Sequence, residues 1–312
     1  MVRNMLRRII PIGLRQEIVA LRETLSDGWR YQRASTSSER WAREIHKNDR
    51  HEAQLTMDYH RVEKGLALPA PKRPFGLAVR ERMVALMANQ PETTTEAPYV
   101  EFSEDALVAL DQWNEGGDID HRNSPLAGDQ PIALTPEQAL QFFHSRHSIR
   151  NFDADKVPTD DELRKGVELA RNTPSVCNRQ AFRVHFYRER SQIDSILAIQ
   201  NGATGFADSV TCVGVVTARR GMFVGPDERN QRWVDGGLFA MTLVWAFHAV
   251  GLATCMLNWA LPGVSSAKLR AIADIPEGED IVVLIAIGHA NEGARTARSE
   301  KREVDDLARF HS

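Results

Sequence analysis

Two strings, Ser145 to Phe152 (SRHSIRNF) and Asn172 to Phe182 (NTPSVCNRQAF), decide how this chain is read. In the first, Arg146, Ser148 and Arg150 set two guanidiniums and a hydroxyl within five residues, with His147 among them. Such a set can hold a dianionic phosphate, because Arg offers forked donors and Ser a short hydrogen bond. The same residues would also serve as a solvated basic helix end, whose cations meet the negative pole of the helix dipole. In the second string Pro174 and Ser175 bend the chain while Asn178 and Gln180 present amide donors and acceptors. Pro, Ser and Asn build ordinary turns as well.

The sequence around these strings has clear local grammar. In LTPEQALQFF, Thr135, Pro136 and Gln138 supply an N-cap, a first-turn proline and a capping-box partner, which predicts a helix from Pro136 to about His144. Thr159 and Glu162 repeat the box, and Leu163, Val167 and Ala170 follow at helical spacing. AFRVHFY alternates apolar and polar residues and reads as a half-buried strand. VTCVGVVTA and IVVLIAIG are continuous apolar runs, the signature of strands covered on both faces. Between them WVDGGLFAMTLVWAFHAVG is apolar nearly all round and ends at Gly251, which predicts a buried central helix. The order is helix, helix, strand, helix, strand, long helix, strand, helix, strand. It describes a layered α+β domain, a mixed sheet flanked by helices.

Upstream, the first 130 residues read as helical and polar, without strand alternation. The Gly-, Asp- and Pro-rich stretch from Glu115 to Pro131 marks an exposed connection. The expected organisation is a helical N-terminal extension over 1–130 and a second unit over 131–312. Arg3, Arg7, Arg8 and Arg15 alternate with apolar residues and suggest an amphipathic helix, docked on the protein itself in preference to peripheral membrane contact. No apolar run reaches the roughly 18–20 residues of a membrane span.

Composition narrows the function. With 42% hydrophobic and 26% charged residues among 312, the chain is neither disordered nor fibrous. A net charge of -3 and a pI near 6.4 supply no field for nucleic acid. The three cysteines, Cys177, Cys212 and Cys255, are far apart and suggest a reducing cytoplasm, with neither disulfide framework nor thiolate metal site. His51 and Glu52 begin an H-E pair, but His60 stands too far on to complete a helical metal pair, so no metal is expected. Rossmann, P-loop, zincin and nucleophile-elbow motifs are all missing.

The two strings at this spacing, followed by DGGLFAMTLVWAFHAVGLATCMLNW, IPEGEDIVVLIAIGHA and the basic tail RTARSEKREV, resemble the nitroreductase-like flavoprotein family over residues 131–312. Its cores begin with R-x-S-x-R-x-F and continue, after one helix, with P-S-x-x-N-x-Q. The GLFAM, GL and LNW strings, with HRVEKGLAL and PFG upstream, look most like a long branch found with polysaccharide biosynthesis. Many reductases of the family continue the second motif with Pro-Trp; Ala181 and Phe182 stand there in this chain.

The resemblance implies a homodimer with FMN at the interface. It assigns Arg146, His147, Ser148 and Arg150 to the phosphate and ribityl chain, with Lys301 or Arg302 closing on the same phosphate. Pro174, Ser175, Asn178 and Gln180 would line the ring from the partner subunit, with Asn201 a weaker candidate for its polar edge. Thr254 to Asn258, including Cys255, Met256 and Leu257, would pass the flavin N5, where a backbone N–H stabilises reduced flavin. The implied activity is hydride transfer from NAD(P)H through N5 to a small-molecule acceptor, with no separate catalytic acid–base pair. The alternative is a non-catalytic FMN-binding regulatory or assembly protein; a further alternative is unusual flavin chemistry such as flavin breakdown or dehydrogenation of a peptide ring. His248, Cys177 and Cys255 are expected to be packing residues. The charged turn from His60 to Phe75 is expected either to cap the flavin pocket or to form a salt-linked surface.

Overall fold

The continuous apolar runs become the inner strands of a four-stranded sheet. Strands β1 (Phe182–Tyr187), β2 (Cys212–Arg219), β3 (Ala253–Asn258) and β4 (Glu279–Gly288) lie in the order β1-β2-β4-β3, and every pair is antiparallel. β2 and β4 occupy the middle with helices over both faces, so neither shows the alternation of a half-solvated strand. The parallel element of the expected mixed sheet is a single bridge, Ser148 to Thr254. An apolar run reports burial and not strand direction, which is why the sequence does not separate these arrangements.

This computed structural model describes residues 12–35, 47–91, 97–128 and 133–311. Arg3, Arg7, Arg8 and the expected boundary at 130/131 lie outside the described residues, as does the side chain of Arg15.

Among the described residues, the N-terminal region holds α1 (Ile12–Ser35), α2 (Lys47–Leu66), α3 (Leu77–Ala88) and α4 (Pro98–Asn114). α5 (Pro136–Ser145) and α6 (Asp160–Ala170) follow, each opened by the expected capping box. The remaining helices are α7 (Arg190–Leu197), α8 (Gln231–Ala249), α9 (Gly263–Ile272) and the short α10 (Val304–Leu307).

One face of the sheet is covered by α6 and α8, where Leu163, Phe239, Leu243 and Phe247 meet Phe182, Val216 and Ile285. Gly166 lets α6 approach closely, since a Cβ there would stand 2.3 Å from the Phe247 ring. The other face is covered by α7 and α9, through Ile193, Ile196 and Leu269 against Val213, Val215 and Leu284. α8 is buried on one side only: Trp233, Val234 and Leu238 remain 38, 51 and 45% exposed. The expected fully buried helix is therefore half-covered by its own chain.

α2, α3 and α4 share a core of Leu55, Val62, Leu66, Met83, Val100 and Leu110. Tyr31 and Ala53 join α1 and α2 to Ala181, Met222 and Phe223 of the sheet domain. Ion pairs complete the docking. Arg219 reaches Glu52 at 2.7 Å. Asp280, 2% exposed, accepts from Arg220 at 2.7 Å, contacts Arg232 at 2.9 Å and receives Arg30 of α1 at 2.8 Å. Burial would raise the Asp280 carboxyl, but its arginines outweigh that and hold it below the usual range.

Candidate functional site

α5 is amphipathic, and its apolar side meets the end of α8. Phe142 and Phe143 lie 5.4 and 4.5 Å from the Trp245 ring, and Ser145 Oγ is 2.7 Å from His248 Nε2. Burial, then neighbouring Arg146, push the His248 imidazole below its usual value, so it is a neutral hydrogen-bonding group here. At Arg146 the backbone leaves the helix with ψ 121 and becomes extended. Ile149 N–H donates to Thr254 C=O at 3.0 Å, and Asp153 N–H to His289 C=O at 2.9 Å. Residues 148–149 thus run along the open side of β3, and 151–153 continue beside residues 289–291.

This route gathers the cations of the first string. Arg146, His147, Ser148 and Arg150 line a cavity of about 530 Å³ together with Arg298 and Lys301 of the tail. Glu300 is also at its wall and pairs with Arg298 at 2.8 Å. The Arg146 guanidinium stands 5.4 Å over the Trp245 ring, and its Nε is buried without a hydrogen-bond partner. A buried charged donor in that condition calls for an acceptor. Arg302 is exposed and does not line this cavity.

β3 adds a backbone donor. Because Thr254 C=O faces residue 149, and Asn258 C=O accepts from Gln200 Nε2 at 2.9 Å, alternation turns the N–H and C=O of Met256 to the same free edge. Cys255 and Leu257 point their backbone groups to β4. The Met256 side chain is 40% exposed, whereas Cys255 is buried and its thiol is raised by burial. Gln200 brings the turn that holds Asn201 to the Asn258 end of the strand.

The second string forms a tight loop. Cys177, Asn178 and Gln180 all adopt positive φ, 49, 54 and 47°. For non-glycine residues this costs roughly 1–2 kcal/mol each, and surrounding contacts enforce it. Gln180 N–H donates to Ser175 Oγ at 3.0 Å, and Val176 N–H to Asp235 of α8 at 3.2 Å. The buried Arg179 guanidinium donates to Met222 C=O at 2.8 Å and to Glu228 at 2.7 Å. Pro174 opens the loop, and the Asn178 and Gln180 side chains bond each other at 3.3 Å. Arg179, Glu228 and Asp235 were missed by sequence reasoning. Only the arginine lies inside the motif, and its burial has no local signal.

One chain does not bring the two strings together. The loop is tied to Asp235 near the start of α8 and the cationic cavity to His248 near its end, about 20 Å apart at the helical rise. The His60–Phe75 turn packs on α4: Trp113 Nε1 donates to Lys72 C=O at 2.8 Å, and Arg73 stacks 3.5 Å over the same ring. The element beside residues 176–178 is α2, through Ala53 and Val176. His51 Nε2 lies 3.0 Å from Leu86 C=O, and no metal-ligating cluster occurs among the described residues.

Residues 144–289, just under half of the chain, match the sequence model of the Nitroreductase family. No curated protein matches the chain. Among solved structures, the candidate nitroreductase ydfN of Bacillus subtilis aligns at 16% identity and TM-score 0.50, covering 57% of this chain and 100% of its own. An FMN-dependent nitroreductase of Clostridium difficile aligns at 16% identity and TM-score 0.48, over 55% of this chain and 99% of its own. A nitroreductase of Desulfitobacterium hafniense with bound FMN aligns at 21% identity and TM-score 0.43, over 57% and 100%. The four-stranded core, with its helices on both faces, has the nitroreductase fold, preceded by a helical N-terminal region.

Proposed function

We propose that this chain is an FMN-dependent oxidoreductase acting as a homodimer, with a helical extension over 1–130 and the flavin-binding domain over 131–312. The observation that carries the reading is the orphaned Arg146 Nε in a cationic cavity beside the free Met256 edge. The residues fit the group. Arg146, Ser148 and Arg150, with His147 and Lys301, would hold the FMN phosphate and ribityl chain, and the backbone N–H of Met256 would face N5. When bound, FMN supplies the redox chemistry, carrying a hydride from a reduced nicotinamide to a small-molecule acceptor. The chain's own part is orientation, electrostatics and exclusion of water.

The loop Pro174, Ser175, Asn178 and Gln180 would line the ring from a second copy, since a single chain holds it at the far end of α8. The half-exposed outer side of α8, Trp233, Val234 and Leu238, is the apolar surface that such a copy would cover. Among the described residues, no helix is long and apolar enough to cross a membrane. The three cysteines are free thiols, which fits the proposed reducing cytoplasm. The resemblance of the GLFAM and LNW strings favours an acceptor in polysaccharide biosynthesis.

The test is to purify the protein, record its visible spectrum and add NADH or NADPH without oxygen. The expected protein is yellow and is bleached by one of them. A colourless protein that FMN cannot reconstitute overturns the reading. Flavin that is bound but never reduced favours the regulatory alternative.

A further inference from the structure

α1 is amphipathic in an inverted sense. Three of its charged residues face the protein: Glu23 accepts from Gly263 N–H at 2.9 Å, Asp27 pairs with Arg232 at 2.7 Å, and Arg30 with Asp280 at 2.8 Å. Its large apolar residues face water, with Leu14, Ile18, Leu21 and Leu25 exposed by 48, 50, 60 and 63%. Every residue from Gln16 to Arg22 is exposed, so the first half of the helix stands off the body. A contiguous apolar stripe left open to water marks a surface for association.

We propose that the cover is α1 of a second copy, packed parallel, stripe against stripe. The spacing of Leu14, Ile18, Leu21 and Leu25 is four, three and four, the seam of a coiled coil. Leu14 and Leu21 take d positions, and Ile18 and Leu25 take a positions. A β-branched residue at a with leucine at d suits a parallel pair. Glu17 and Arg22 flank the seam on opposite sides, at g and the following e, where they meet across a parallel interface. The face is therefore complementary to itself in charge as well as in shape. A lipid surface favours cations along the polar flanks, and one flank of this seam carries Glu17. Two heptads are too few to hold two chains alone, so the inference rests on the homodimer proposed above and adds a contact within it.

The test is the dimer dissociation constant of the full chain, read by fluorescence-detected sedimentation. L21E/L25E alters only exposed side chains, and circular dichroism checks that it remains folded. The expected result is a dissociation constant raised tenfold or more, raised also by E17K and restored in E17K/R22E. L238E on α8 serves as the separate probe of the dimer itself. An unchanged constant in L21E/L25E alongside a weakened L238E overturns the seam and leaves the homodimer standing. A wild-type protein that is monomeric throughout overturns both. Flotation with phosphatidylserine vesicles that L21E/L25E abolishes, at an unchanged dimer constant, assigns the stripe to lipid and overturns the seam.

Discussion

At the scale of single residues, two arginine arrangements have opposite meanings. Arg146 is partly buried, has a buried Nε with no acceptor and faces a cavity, whereas the buried Arg220 donates to both carboxylate oxygens of Asp280. Arg146→Ala should therefore leave the fold intact and weaken FMN retention ten- to a hundredfold, about 1.5–3 kcal/mol for a charge-assisted contact; fluorescence of flavin released on dilution checks this. Asp280→Asn should instead cost about 3–5 kcal/mol in a urea titration, because several buried cations lose their partner. The sign with pH follows from the depressed Asp280 carboxyl. Its stabilisation is complete above the unfolded value near 4 and is lost as pH falls through the lower folded value. The urea midpoint of the wild type should drop below about pH 4, and less steeply in the Asn variant. The cluster was illegible in the sequence, since Arg220, Arg232 and Asp280 meet only when the sheet domain packs, and Arg30 joins them only when α1 docks.

At the scale of elements, α6 and α8 depend on a side chain that is missing. Gly166→Ala improves helix propensity by about 1 kcal/mol, but its Cβ would enter the Phe247 ring. Overpacking of that kind costs roughly 1–3 kcal/mol, and the expected net result is a lower thermal midpoint by calorimetry. An increase would mean that Phe247 yields at no cost. The capping boxes at Thr135 and Thr159 were readable because a cap is satisfied within four residues. The inverted face of α1 was not readable, since which side of an amphipathic helix meets the protein depends on what it docks against.

At the scale of the whole molecule, the two strings lie at opposite ends of α8, so in the proposed shared-site dimer flavin binding and association would be linked equilibria. On dilution, flavin release should track dimer dissociation measured by light scattering; a flavin-loaded monomer would refute the shared site. The extension is structural as well. Removing residues 1–76 strips the cover from Ala181, Met222 and Phe223 and leaves Arg219 without its carboxylates. A truncated chain should lose its cooperative melt and its soluble yield, whereas full retention of both would make the extension dispensable to the core.

The sequence alone determined what depends on neighbours in the chain: the capped helices, the apolar strands, the sharp turn at 174–180 and the cationic grouping at 146–150. These rest on propensity, capping and spacing, which act over a few residues. The tertiary structure alone decided strand direction, the seating of Arg179 and Asp235 behind the loop, the placing of the His60–Phe75 turn against Trp113, and the separation of the two strings along α8. Those contacts join residues tens to hundreds of positions apart. Their energy lies in desolvation and close packing that no local pattern records.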